Sequence, residues 1–102
     1  MIRITVSYPS RGGARFDHAY YQQQHATLIR EQLSAHGLRR LEIDRALSDG
    51  AGKAAPVVAA AHMLFDDIGA FKAAMAVGGK ALAADMSNYT DIVPQVLISQ
   101  IA

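Results

Sequence analysis

Two steps of the same kind, Phe16-Asp17 and Phe65-Asp66, divide this chain of 102 residues into halves of like order. In each half a stretch with period-2 alternation runs into Phe-Asp, residues with helical spacing follow, and a second strand returns. A strand must bury one face and a helix one stripe, so such halves are stable only when they share a core. Connections between strands of one sheet cross over right-handedly, which leaves few arrangements open to this order.

The elements can be placed from local signals. Ile2, Ile4, Val6 and Tyr8 alternate with Arg3, Thr5 and Ser7, giving a first strand that Pro9-Ser10-Arg11-Gly12-Gly13 ends in a loop. Asp17 suits the N-cap of a helix running to about Ala35, and Gly37 suits its left-handed C-terminal stop. Leu38 to Leu47 alternates again, and Ser48 to Ala55 reads as a hairpin loop. Pro56 opens a third strand, Val57 to Phe65, after which Asp66 or Asp67 caps a second helix with Ile68, Phe71 and Met75 on one face. Gly78-Gly79 is expected to interrupt that helix, with Lys80 to Met86 resuming as a short one. Asn88 to Asp91 connects to a last strand, Ile92 to Ile101, whose Pro94 points to an edge position or a late strand entry. The order β-α-β-β-α-β predicts a ferredoxin-like α+β domain, with a four-stranded antiparallel sheet and both helices on one face.

Length allows one domain, residues 1–102, and no second. Hydrophobic residues make up 51% of the chain, enough for a core, though many are alanine. Two helices cover one sheet face, and apolar residues on the strands predict that a second copy covers the other, as a homodimer. Ten basic and nine acidic residues leave a charge of +1, which argues against nucleic acid or an anionic membrane as partner. The absence of cysteine excludes disulfides, thiolate metal sites and cysteine nucleophiles. Met1 runs straight into the first strand with no signal-peptide pattern, and no apolar run is long enough to span a bilayer, so a cytoplasmic protein is expected.

The chemistry concentrates around His25. At about 100° per residue, it shares the core-facing stripe of the first helix with Tyr21, Leu28, Ile29 and Gln32. A buried imidazole must be hydrogen-bonded, and it is the side chain best suited to proton transfer near neutral pH. The plain reading is a satisfied core histidine. The row Tyr21, His25, Gln32 favours instead the polar wall of a small-molecule pocket. His62 falls on the strand face of Val58, Ala60 and Leu64, where small residues leave room either for a ligand or for a packed ring. Asn88-Tyr89-Thr90-Asp91 gathers four hydrogen-bonding side chains, of which Asn88 and Asp91 suit a turn and Tyr89 a buried site. No histidine and carboxylate spacing supports a metal site.

Tyr8-Pro9, Gly13-Ala14-Arg15-Phe16-Asp17, Tyr20-Tyr21, His25 and Leu28 together resemble the first half of an EthD-like protein. Val58 to Phe65, with His62-Met63-Leu64-Phe65, and Asn88-Tyr89-Thr90-Asp91-Ile92 resemble its second half. Ala26-Thr27 after the histidine departs from the proline found nearby in many relatives. The resemblance implies a dimeric α+β barrel from a catabolic or biosynthetic pathway. Its wider superfamily includes cofactor-free monooxygenases, cyclases and isomerases acting on apolar or aromatic molecules. On this reading His25, Tyr21 and Tyr89 are the catalytic candidates, His62, Gln32 and Asn88 line the substrate site, and no cofactor is needed. The alternative is a non-catalytic small-molecule binding or carrier protein with the same pocket.

Overall fold

The computed structural model describes all residues from 1 to 102. Strands β1 (Ile2–Pro9), β2 (Arg40–Arg45), β3 (Val57–Phe65) and β4 (Gln95–Gln100) form one antiparallel sheet in the order β2-β3-β1-β4. The first helix is a composite. It comprises α1 (His18–Tyr20), a π-helical turn (Tyr21–His25), α2 (Ala26–Leu33) and a 3₁₀ turn (Ser34–His36). The second, α3, spans Ile68–Asp85 and ends in a 3₁₀ turn at Met86–Asn88. This is the ferredoxin-like α+β fold. The molecule is only 19 Å through its thinnest axis, the depth of one sheet and one layer of helices.

Local chemistry explains the boundaries. The Asp17 side chain accepts from the Tyr20 N–H, and Asp67, rather than Asp66, accepts from the Ala70 N–H at the start of α3. Asp66 instead holds Arg39 through two hydrogen bonds, of 2.7 and 3.1 Å. Gly37 ends the first helix at φ 105°, a left-handed conformation that side chains disfavour. Strand β4 lies at an edge and starts at Gln95 rather than Ile92, so Pro94 stays outside the ladder, as a late strand entry allows.

The expected break at Gly78-Gly79 does not occur, because α3 is continuous across it. Gly78 serves a close helix crossing. A Cβ there would stand 2.8 Å from Gln32 Cβ and 2.9 Å from Leu33 Cδ2. Contact with α2 holds the glycine in a helix that its own propensity disfavours.

Strand pairing sorts the sheet residues. Ile2, Ile4, Val6 and Tyr8 lie opposite Phe65, Met63, Ala61 and Ala59 on the helix side. One core cluster unites Ile2, Ile4, Ile29, Leu33, Met63, Phe65, Ala74 and Leu82. A second unites Tyr8, Tyr21, Ala59, Ala61, Tyr89 and Ile92. The alanines of β3 thus make room for packed tyrosine rings. The other sheet face is more polar than its apolar strands led us to expect. It carries Arg3, Thr5, Ser7, Arg40, Glu42 and Asp44 among Ala60, His62, Leu64 and Leu97. No helix is long and apolar enough to cross a membrane.

Candidate functional site

The site lies where the two halves meet. The segment after α3 folds back on the entrance of the first helix. Phe16 bridges to Thr90, the Asp17 N–H donates to the Tyr89 carbonyl at 2.8 Å, and the Thr90 hydroxyl donates to the Arg15 carbonyl at 2.7 Å. The Asp91 carboxylate accepts from the Arg15 N–H at 2.9 Å and pairs with Arg11 at 3.1 Å. These ties fix Tyr89 under the first helix, where it is fully buried.

The π-turn presents the other two rings. The Ala26 N–H reaches the Tyr21 carbonyl five residues back, which widens the turn. Four residues of this wider turn bring Tyr21 and His25 one above the other, with rings 5.6 Å apart and only 15° from parallel. His25 is 5% exposed and Tyr21 1%, so neither imidazole nor phenol has water to satisfy it.

A chain of hydrogen bonds runs through them. His25 Nδ1 meets Asp85 Oδ2 at 2.9 Å, Tyr89 Oη meets His25 Nε2 at 3.3 Å, and Tyr8 Oη meets Tyr89 Oη at 2.6 Å. Asp85 Oδ1 accepts from the Tyr20 hydroxyl at 2.6 Å and from Asn88 Nδ2 at 2.9 Å. Burial works to raise the Asp85 carboxyl, but hydrogen bonds from Tyr20, Asn88 and His25 outweigh it and hold the group below the usual carboxylate range. Burial pushes the hydroxyls of Tyr8, Tyr21 and Tyr89 above the usual phenol range, so all three stay protonated at neutral pH.

These protonation states set the direction of the chain. An ionised carboxylate only accepts, so Nδ1 carries the proton of a neutral His25 and Nε2 is the acceptor. When Tyr89 donates to Nε2 its only proton is used, and Tyr8 then donates to Tyr89. The Tyr21 hydroxyl is buried beside that of Tyr8, its nearest polar neighbour, outside good hydrogen-bond geometry.

Beside this chain is a cavity of about 180 Å³. Tyr8, Tyr21, His25 and Tyr89 form one wall, with Val6, Ile29, Ala61 and Met63. Met75, Gly79, Leu82, Ala83 and Met86 line it from α3 and the following turn, and Pro94 and Val96 from the last strand. Val96 is 59% exposed, so this side opens outward.

Three of the six candidates from the sequence, His25, Tyr21 and Tyr89, come together here. The other three do not line the cavity. Gln32 faces Gly78 at the helix crossing. His62 points from the opposite sheet face, with Nε2 2.6 Å from Asp44 and Nδ1 3.4 Å from Thr5 Oγ1. The reason is register, because His62 pairs with Thr5 and shares its face, whereas Ala61 and Met63 face the helices. Asn88 acts through Asp85. Tyr8 and Asp85 were missed. Tyr8 was legible as the last inward residue of the first strand, whereas nothing local marked Asp85, 60 residues from His25. No group of three histidine or acidic side chains that could hold a metal ion is present.

The family model of the EthD domain matches residues 14–92. Comparison with curated proteins gives no match. Among solved structures, an EthD-like protein from Ralstonia eutropha JMP134 is 34% identical with a TM-score of 0.88, over 97% of this chain and 89% of that one. An ethyl tert-butyl ether D (EthD) family protein from Bacillus halodurans C-125 is 21% identical with a TM-score of 0.79, over 100% and 99% of the two chains. A dimeric protein of ferredoxin-like fold from Bacteroides fragilis NCTC 9343 is 10% identical with a TM-score of 0.63, over 98% and 95%. The match over most of the chain and the first of these likenesses together show that this chain belongs to the EthD family.

Proposed function

We propose that the protein binds a small, largely apolar organic molecule in the cavity and moves a proton to or from it through His25, with no cofactor. The single observation that carries this reading is the placing of His25. Its Nδ1 is tied to the Asp85 carboxylate and its Nε2 is an acceptor in the wall of an apolar cavity. A base held in one tautomer beside bound substrate is the arrangement general base catalysis needs. Nε2 takes the proton, and Asp85 stabilises the imidazolium that forms. Tyr89 moves off Nε2, and with Tyr21 it donates to an oxygen of the substrate. A monooxygenase, cyclase or isomerase step in a catabolic or biosynthetic pathway fits this chemistry.

Deuterium exchange tests it without knowledge of the natural substrate. The protein in D₂O should speed exchange at the α-carbons of cyclohexanone, followed by proton NMR, and His25→Ala should abolish the gain. Equal rates with and without protein would overturn the assignment of a base. Binding of cyclohexanone without exchange would favour the second reading, a small-molecule carrier, which the almost wholly apolar cavity wall supports.

The open sheet face is the proposed surface for a homodimer. Arg3 and Arg40 stand on it with Glu42 and Asp44, so a two-fold axis can set opposite charges together. The dimeric structural neighbour supports the same reading. Light scattering at micromolar concentration should give twice the chain mass of 10.9 kDa. A monomeric mass would exclude it.

A further inference from the structure

We infer that the ligand is a molecule about one six-membered ring in size, apolar except for one hydroxyl group, which donates to His25 Nε2 in place of Tyr89. This deepens the reading of the cavity given above and rests on it. Size sets the first limit. An apolar protein cavity of ~150 Å³ takes up benzene, and the cavity here is about 180 Å³. A single ring with a small substituent fits within it, whereas the second ring of a fused bicyclic molecule would lie outside, through the open side at Val96.

Polarity sets the second limit. The wall is apolar except at the tyrosine and histidine edge, so each further polar group on a ligand would be buried unpaired. The hydrogen-bond chain then decides which polar group is welcome. Tyr8 and Tyr89 each have one proton, and the hydrogen bonds among Tyr8, Tyr89 and His25 Nε2 can use both. What the chain offers is the acceptor Nε2, and its bond to Tyr89, 3.3 Å, is the longest of the three. An incoming hydroxyl replaces this bond at least loss. A phenol or an enol meets this demand. A hydrocarbon does not, and an ether offers no donor.

Protein-observed NMR titration with phenol, toluene, anisole and 1-naphthol tests this on the wild-type chain. Phenol should bind about tenfold more tightly than toluene, the most that one net hydrogen bond supplies. It should also move the His25 Nε2 resonance, with anisole close to toluene and 1-naphthol bound more weakly than phenol. Tyr89→Phe, which frees Nε2, should widen the preference for phenol over toluene. Equal affinity for phenol and toluene, an unmoved Nε2 resonance, or 1-naphthol bound as well as phenol would each overturn the inference. So would failure of all four to bind. The exchange assay judges proton transfer separately, since a base can act on a ketone whatever the preference for a hydroxyl.

Discussion

At the scale of single residues, the distinctive feature is that Asp85 decides which nitrogen of His25 is free. Its Oδ1 already receives two donors, Tyr20 and Asn88, and its Oδ2 faces His25 Nδ1. In Asp85→Asn the amide oxygen should take the side with two donors, leaving the NH₂ to face Nδ1. That forces the proton of neutral His25 onto Nε2. Nitrogen-15 NMR should show Nε2 unprotonated in the wild type and protonated in the variant, with deuterium exchange into cyclohexanone lost. An unchanged tautomer would mean that the carboxylate does not set it. Tyr8→Phe removes the donor from a buried bond of 2.6 Å and leaves the Tyr89 oxygen without it. Urea unfolding should show a loss of about 1–3 kcal/mol.

At the scale of elements, Gly78 and Gly79 make a controlled pair. Both sit inside α3, where alanine is favoured over glycine by about 1 kcal/mol. At Gly78 an added Cβ would meet Gln32 Cβ at 2.8 Å and the Gln32 carbonyl at 3.1 Å. Backbone of a packed helix cannot yield cheaply, so Gly78→Ala should destabilise by about 1–3 kcal/mol. At Gly79 the nearest atom is Met75 Cε at 3.1 Å, the end of a flexible side chain. Gly79→Ala should therefore be close to neutral in stability, although its methyl enters the cavity and should weaken toluene binding. Thermal unfolding of the two variants side by side checks the contrast. The pair also shows a limit of reading by propensity. Two glycines suggest a helix break until the partner helix against one of them is known.

At the scale of the whole molecule, stability in acid follows from the carboxylates that hold the halves together. Asp85 and Asp91 are both held below the ordinary value of 3.8, Asp85 by hydrogen bonds that overcome burial and Asp91 chiefly by the Arg15 N–H. A depressed folded-state value means that each contribution is complete above the unfolded value and disappears as pH falls through the folded one. The melting temperature should hold steady down to about pH 4 and fall below it. Asp85→Asn should lower the plateau and flatten part of the fall. A wild-type curve that stays level to pH 2 would contradict this.

Order, element type and cap positions were legible because they depend on local chemistry. Strands alternate, Asp17 can cap only the residues just after it, and Gly37 tolerates a positive φ. The sequence by itself therefore determined the ferredoxin-like fold, the strand Val57–Phe65 and the inward stripe bearing Tyr21 and His25. Only the tertiary structure decided which polar groups meet. His62 faces away because register, not residue type, assigns it a side of the sheet. Gln32 lies at the helix crossing, because α3 passes closest to α2 there. Asp85 reaches His25 across 60 residues of chain, and Tyr8 reaches Tyr89 across 81. Such contacts depend on how strands and helices dock, and spacing along the chain carries no record of docking.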